Sequence, residues 1–212
     1  MTSPDPSHLA FNSLMRRLSA RVRESGFKRF GQRFGRETPE VWQTIGVQKS
    51  RWNDAEEKRL TINFGVAPKA VLRFRKELAT TPPPDYTCSI RGRMSSLEPA
   101  TSDKWWNVTD EKTAATVAHE IVSVFNSKLI PFMDQTQSEK EILDLWSAGK
   151  VYGVEIESDE ARIILLAEKN DPATSIAVLN YADKFLSSLA KVRAERFLSA
   201  FHQHFPAIHQ RL

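Results

Sequence analysis

An α+β fold, with an antiparallel sheet of about four strands, helices packed on one face and an all-helical C-terminal extension, is predicted by three observations. Alternating apolar residues concentrate between Lys28 and Met94. Apolar residues at steps of three and four dominate before Gly26 and after Trp106. No repeat of solenoid or propeller length is visible, so one packed sheet with grouped helices is the simplest arrangement.

The first element spans residues 7–25, where Phe11, Leu14, Met15, Leu18 and Val22 form one apolar stripe and Arg16, Arg17, Arg21, Arg23 and Glu24 lie mostly elsewhere. Ser7 can cap this helix, and Gly26 supplies the left-handed residue that ends it. From Lys28 an extended strand is predicted, with Phe30 and Phe34 on one face and Arg29, Gly31, Arg33 and Gly35 on the other. Thr38-Pro39-Glu40 reads as a turn into a second strand, Val41 to Ser50, with Val41, Ile45 and Val47 in phase. Leu60, Ile62, Phe64 and Val66 alternate with Thr61, Asn63 and Gly65 in the clearest strand pattern of the chain, which places this strand centrally.

Val71 to Leu78 reads as a short helix or an irregular arm. Thr80 to Asp85 cannot be regular, because its three prolines lack donors and fix φ. Cys88, Ile90, Gly92 and Met94 alternate with Ser89, Arg91 and Arg93 as a fourth strand, in which Cys88 is an inert core thiol. Ala114 to Leu129 is strongly helical and predicted to end at Pro131. Ser138 and Glu141 form a capping-box signature before Ile142, Leu145 and Trp146. Residues 150–157 read as extended, Ser158-Asp159-Glu160 as a helix start, and Asp171-Pro172 as the start of a long helix to about His202. A core over residues 7–136 and a helical extension over 137–212, docked on the core or on a second copy, are expected.

Gly26-Phe27, Val47-Gln48-Lys49-Ser50, Ile62-Asn63-Phe64-Gly65-Val66, Ile90-Arg91-Gly92-Arg93 and Trp105-Trp106 occur in this order. The series resembles the bacterial family called domain of unknown function 4304 over about residues 8–133. The resemblance implies a shared fold and no activity.

Composition narrows the function classes. With 212 residues, 41% of them hydrophobic and 26% charged, wholesale disorder is excluded. The single Cys88 cannot form an internal bridge, and a reducing, cytoplasmic setting is predicted. The start, Met1 to Pro6, lacks the basic and apolar regions of an export signal. No run of apolar residues is long enough to span a membrane.

Two constellations are candidates for binding. Thr44, Gln48, Asn63, Arg91 and Arg93 sit out of phase with the apolar residues of their strands, so one sheet would place them on a common polar face. Paired guanidinium forks on such a face suit a carboxylate or phosphate, with the amides fixing its orientation; the competing expectation is pairing with acids of a covering loop. The second is the basic segment Arg16, Arg17, Arg21, Arg23, Lys28, Arg29, Arg33 and Arg36, opposed only by Glu24. A field of one sign can attract nucleic acid.

Catalytic signatures are missing. His119-Glu120 lacks the second histidine of a zinc protease, His202, His204 and His209 are not spaced as ligands, and no nucleophile elbow or phosphate-binding glycine loop occurs. Trp105 and Trp106 cannot both be buried by one layer, so an exposed member would mark a partner contact. The expected function is therefore a non-enzymatic binding or protein-interaction module, possessing no cofactor and no metal, whose partner is another protein or a second copy. A nucleic-acid-associated protein using residues 16–36 is the alternative, and an enzyme acting on an anionic substrate held by Arg91 and Arg93 is the third class.

Overall fold

The computed structural model describes residues 6–54, 56–77, 80–97, 103–150 and 152–209. Helix α1 (Pro6–Glu24) buries Phe11, Leu14, Met15, Leu18 and Val22 and leaves Arg16, Arg17 and Arg23 exposed. Gly26, at φ +83°, turns the chain out of the helix, a conformation that costs a glycine little.

Strands β1 (Lys28–Phe30), β2 (Arg33–Glu37), β3 (Val41–Lys49) and β4 (Lys58–Pro68) follow as an antiparallel meander. Helix α2 (Lys69–Phe74) leads to β5 (Ile90–Arg93) and β6 (Trp106–Val108). Both pair with β4 on the edge away from β3, which makes β4 the central strand of six. The predicted first strand is in fact two, because Gly31 at φ +65° permits a tight turn after Phe30. The consequence is that Phe30 pairs opposite Arg33, while Phe34 points to the other face and is fully buried.

One face of the sheet carries Val41, Ile45, Val47, Leu60, Ile62, Phe64, Val66 and Ile90. They join a single apolar cluster with α1, α3 (Glu111–Val124) and α4 (Ile130–Asp134). Gln43 is buried among them and stays satisfied by donating to the Thr136 carbonyl at 3.0 Å. The helix does not end at Pro131. A π turn at Phe125–Leu129 places that proline in the first turn of α4, where its missing N–H does no harm.

Ser138 caps α5 (Glu139–Ser147) in a reciprocal capping box with Glu141. Helix α6 (Glu155–Glu168) starts earlier than Ser158, and the stretch before it forms no strand among the described residues. The long helix predicted from Asp171 is a hairpin, α7 (Ala173–Phe185) and α8 (Lys191–His204), followed by the short α9 (Pro206–His209). The Ser188 hydroxyl donates to the Phe185 carbonyl and accepts from the Ala190 N–H, which stabilises the turn. The reversal packs Phe197 against Tyr181 at 5.0 Å between ring centroids.

The helical region docks on the core. Ile156, Ile163, Ile164 and Phe201 belong to the same apolar cluster as the sheet. A charge ladder closes the seam: Arg91 of β5 pairs with Glu157 at 2.7 Å, Arg193 of α8 with Glu157 and Glu160 at 3.0 and 2.7 Å, and Tyr181 donates to Glu160 at 3.0 Å. Burial and the adjoining Glu160 carboxylate push the Tyr181 hydroxyl well above its ordinary value. The core covers part of the apolar surface of this region, while Ile176, Leu179, Leu189 and Val192 stay exposed.

Candidate ligand-binding face of the sheet

The second face of the sheet is built differently. In the register, Gly35, Thr44, Gly65 and Arg91 lie in one row across β2 to β5, and Arg33, Gly46, Asn63 and Arg93 in the next. Residues opposite one another in a ladder share a face. Thr44, Asn63, Arg91 and Arg93 are thereby brought together, and Gln48, two residues beyond Gly46, accepts from the Asn63 amide at 2.9 Å.

The proline-rich segment 80–89 lies across this face as a strap seated on glycines. A methyl group added at Gly35 would collide with the Pro82 ring, at Gly46 it would meet the Asp85 carboxylate at 2.6 Å, and at Gly65 the Cys88 sulfur at 2.6 Å. Three adjacent strands thus lack side chains where the strap crosses, which lets its backbone approach the sheet closely. Thr44 donates its hydroxyl to the Pro83 carbonyl at 2.9 Å and is fully buried. Cys88 packs with Trp42, Ala67 and Leu72, and burial pushes its thiol well above the ordinary range. Its apolar company lies on the strap side rather than among the residues in phase with Ile90, because a 3-10 turn at Asp85–Thr87 precedes β5.

The strap divides the face into two hollows. One, of about 570 Å³, is lined by Lys28, Phe30, Glu37, Trp42 and Lys69 among others. The other, of about 410 Å³, is lined by Gln32, Arg33, Gln48, Asn63, Asp85 and Tyr86, with Gly46 in its floor. Lys69 pairs with Glu37 at 2.6 Å, so Lys28 is the cation of the first hollow without an ion pair among the described residues. In the second, Arg33 approaches the Pro82 carbonyl at 3.4 Å, and Tyr86 is 70% exposed.

Arg91 and Arg93 do not present two open forks. Arg91 donates to the Tyr86 carbonyl and pairs with Glu157; Arg93 pairs with Asp103 and lies 5.3 Å from the Trp105 ring centroid. The carboxylates sought in a ligand are supplied by the protein itself. The basic segment is likewise dispersed. Arg17 pairs with Glu111, Arg21 with Glu24, Arg29 donates to the Gly31 carbonyl, and Arg36 reaches Asp134, Gln43 and Ser25 beneath the helical face. Arg33 belongs to the strap face, while Arg16 and Arg23 are exposed on α1 and Lys28 on β1.

Of the tryptophan pair, Trp106 is buried against the helices and Trp105 emerges on the strap face, where Arg59 also lies over it at 5.4 Å. Sequence reasoning points to the Trp105–Trp106 pair without saying which is exposed or placing arginines beside it, and it misses Tyr86. The available signal was the shared phase of Gly35, Gly46 and Gly65, set beside the proline triplet.

The family model of the domain of unknown function DUF4304 matches residues 18–135. The chain belongs to this family. The DUF4304 match takes in only the C-terminal end of α1, then the whole sheet, the strap, α3 and α4, and α5 to α9 lie beyond it. Both hollows therefore fall within the DUF4304 region. No curated protein and no solved structure matches the chain. Among the described residues, no helix is long and apolar enough to cross a membrane.

Proposed function

We propose that the chain is a non-enzymatic binding module whose ligand occupies the strap face of the sheet. The observation that carries this reading is the pair of hollows, about 570 and 410 Å³, on either side of the strap. Their size is that of ordinary ligand sites. Polar residues and glycines occupy this face where packing alone would favour apolar ones, and amides and cations reach into the hollows. Neither hollow is lined by a histidine, and the single thiol is buried with a raised pKa, so neither hollow offers an imidazole or an accessible thiolate.

The test is a two-dimensional amide spectrum of the full chain titrated in turn with small organic anions, nucleotides, single-stranded oligonucleotides and peptides. Shifts confined to Gly46, Asn63, Gly65 and the strap are expected with at least one class. Shifts confined to α7 and α8, or no shifts with any class, would overturn the reading.

A further inference from the structure

Resting on that reading, we propose that the half of the strap face bounded by Tyr86 and Trp105 binds single-stranded nucleic acid. The inference starts from the side chains that the register gathers. Arg33, Asn63 and Arg93 lie in one row; Gln48 and Arg59 belong to the same phase of β3 and β4, since Gln48 is two residues past Gly46 and Arg59 four before Asn63. Trp105 immediately precedes β6 and shares their face, because Trp106 beside it faces the helices and both Arg59 and Arg93 lie over the Trp105 ring. Tyr86, presented by the strap, is 70% exposed beside Gln48 and Asn63.

Single-stranded nucleic acid demands this composition. Its bases need aromatic or guanidinium planes for stacking, its phosphates need cations, and base edges need amides that both donate and accept. Tyr86 and the Trp105–Arg platform supply the planes, Arg33 and Arg59 the cations, and Gln48 and Asn63 the amides. Among the described residues, Asp85 lines the hollow and Asp103 neutralises Arg93, which leaves Arg33 and Arg59 as the cations that face a ligand. A duplex hides its base planes and would leave the aromatic groups unused. This surface differs from the basic segment, of which only Arg33 belongs to it.

The experiment is fluorescence anisotropy with labelled oligo-uridine and oligo-thymidine of about ten nucleotides, a length within the range of known single-strand sites. Binding that weakens steeply between low and physiological salt is expected. Tyr86→Ala, at an exposed position that leaves folding intact, and Arg59→Ala should each weaken it about ten-fold. An Arg16→Ala, Arg23→Ala double variant should bind like wild type. Absence of binding by either oligonucleotide overturns the inference, as does binding that Tyr86→Ala and Arg59→Ala leave unchanged. Amide shifts on this face with a peptide or a small anion, and none with an oligonucleotide, overturn the inference and leave the binding-module reading standing. No shifts with any of them overturn both.

Discussion

The two faces of the sheet are made from the same strands and solve opposite problems. Toward the helices, β3, β4 and β5 present Val41, Ile45, Val47, Leu60, Ile62, Phe64, Val66 and Ile90, all buried and joined to α1, α3 and α4 in one cluster. Toward the strap, the alternate positions are Thr44, Gly46, Gln48, Asn63, Gly65, Arg91 and Arg93, with apolar burial concentrated at the end where Trp42, Ala67, Leu72 and Cys88 meet. The first face supplies the burial that drives folding. The second gives up side-chain volume to seat a loop and keeps polar groups near solvent.

The largest effects are expected on the helical face. Phe64 is fully buried, with edge contacts to Phe132 and Tyr152 at 5.1 and 6.1 Å between centroids, so it links the sheet to both α4 and the segment entering α6. Phe64→Ala should lower the unfolding free energy by about 3–5 kcal/mol in urea titrations. A loss below about 1 kcal/mol would mean that this face is not the principal core. On the strap face the sensitive position has no side chain at all. Gly65→Ala should cost about 1–3 kcal/mol, because the added methyl meets both the Cys88 sulfur and the Asp85 Cα. Cys88 is buried in the wild type and expected to resist a thiol reagent there, and the same variant should make it react measurably. An unreactive thiol in a stable Gly65→Ala protein would show that the strap does not sit where the glycines place it.

The sheet faces were legible because a period of two is unambiguous where it is sustained. From Leu60 to Val66 the phase alone assigns Asn63 to the face away from the core, and the register then carries Thr44, Arg91 and Arg93 with it. What alternation cannot express is what lies above a face. Asp103 and Glu157, which engage Arg93 and Arg91, come from the loop before β6 and from α6, and no local pattern ties either to its arginine. The strap was visible only as broken regularity at Pro82 to Pro84. Its seat on Gly35, Gly46 and Gly65 depends on three strands being adjacent. Short elements failed for a related reason: β1 and β6 have three residues each, too few for a period to emerge. The α7–α8 break turns on Ser188 bonding to the turn backbone and on aromatic packing across the hairpin, neither of which interrupts a helical apolar pattern.

Thr44 sharpens the comparison with a smaller effect. It is the buried polar group under the strap, and its hydroxyl satisfies the Pro83 carbonyl. Thr44→Val keeps the volume and leaves that acceptor unpaired, so a loss of about 1–2 kcal/mol is expected. If chemical denaturation finds the variant as stable as wild type, the strap is held by the glycine seat alone.

The smallest effect belongs to the seam between α2 and α5, where Glu139 accepts from the Ala70 N–H at 3.3 Å and lies 3.9 Å from Lys169. Burial outweighs these partners and raises its carboxyl above the ordinary value. The folded state therefore holds the Glu139 proton more tightly than the unfolded chain does. The stabilisation this provides is complete below the unfolded value, about pH 4.3, and is lost as pH rises through the folded one. Glu139→Gln removes the charge while keeping an acceptor for Ala70. It should melt about 1–2 °C above wild type at pH 7, and the difference should vanish below about pH 4. A variant that melts lower at pH 7 would mean that the attraction between Glu139 and Lys169 outweighs the cost of burying the carboxylate. In that case the seam would be held together by charge, as the Arg91–Glu157–Arg193 ladder beside it is, and not by the apolar packing that closes the helical face.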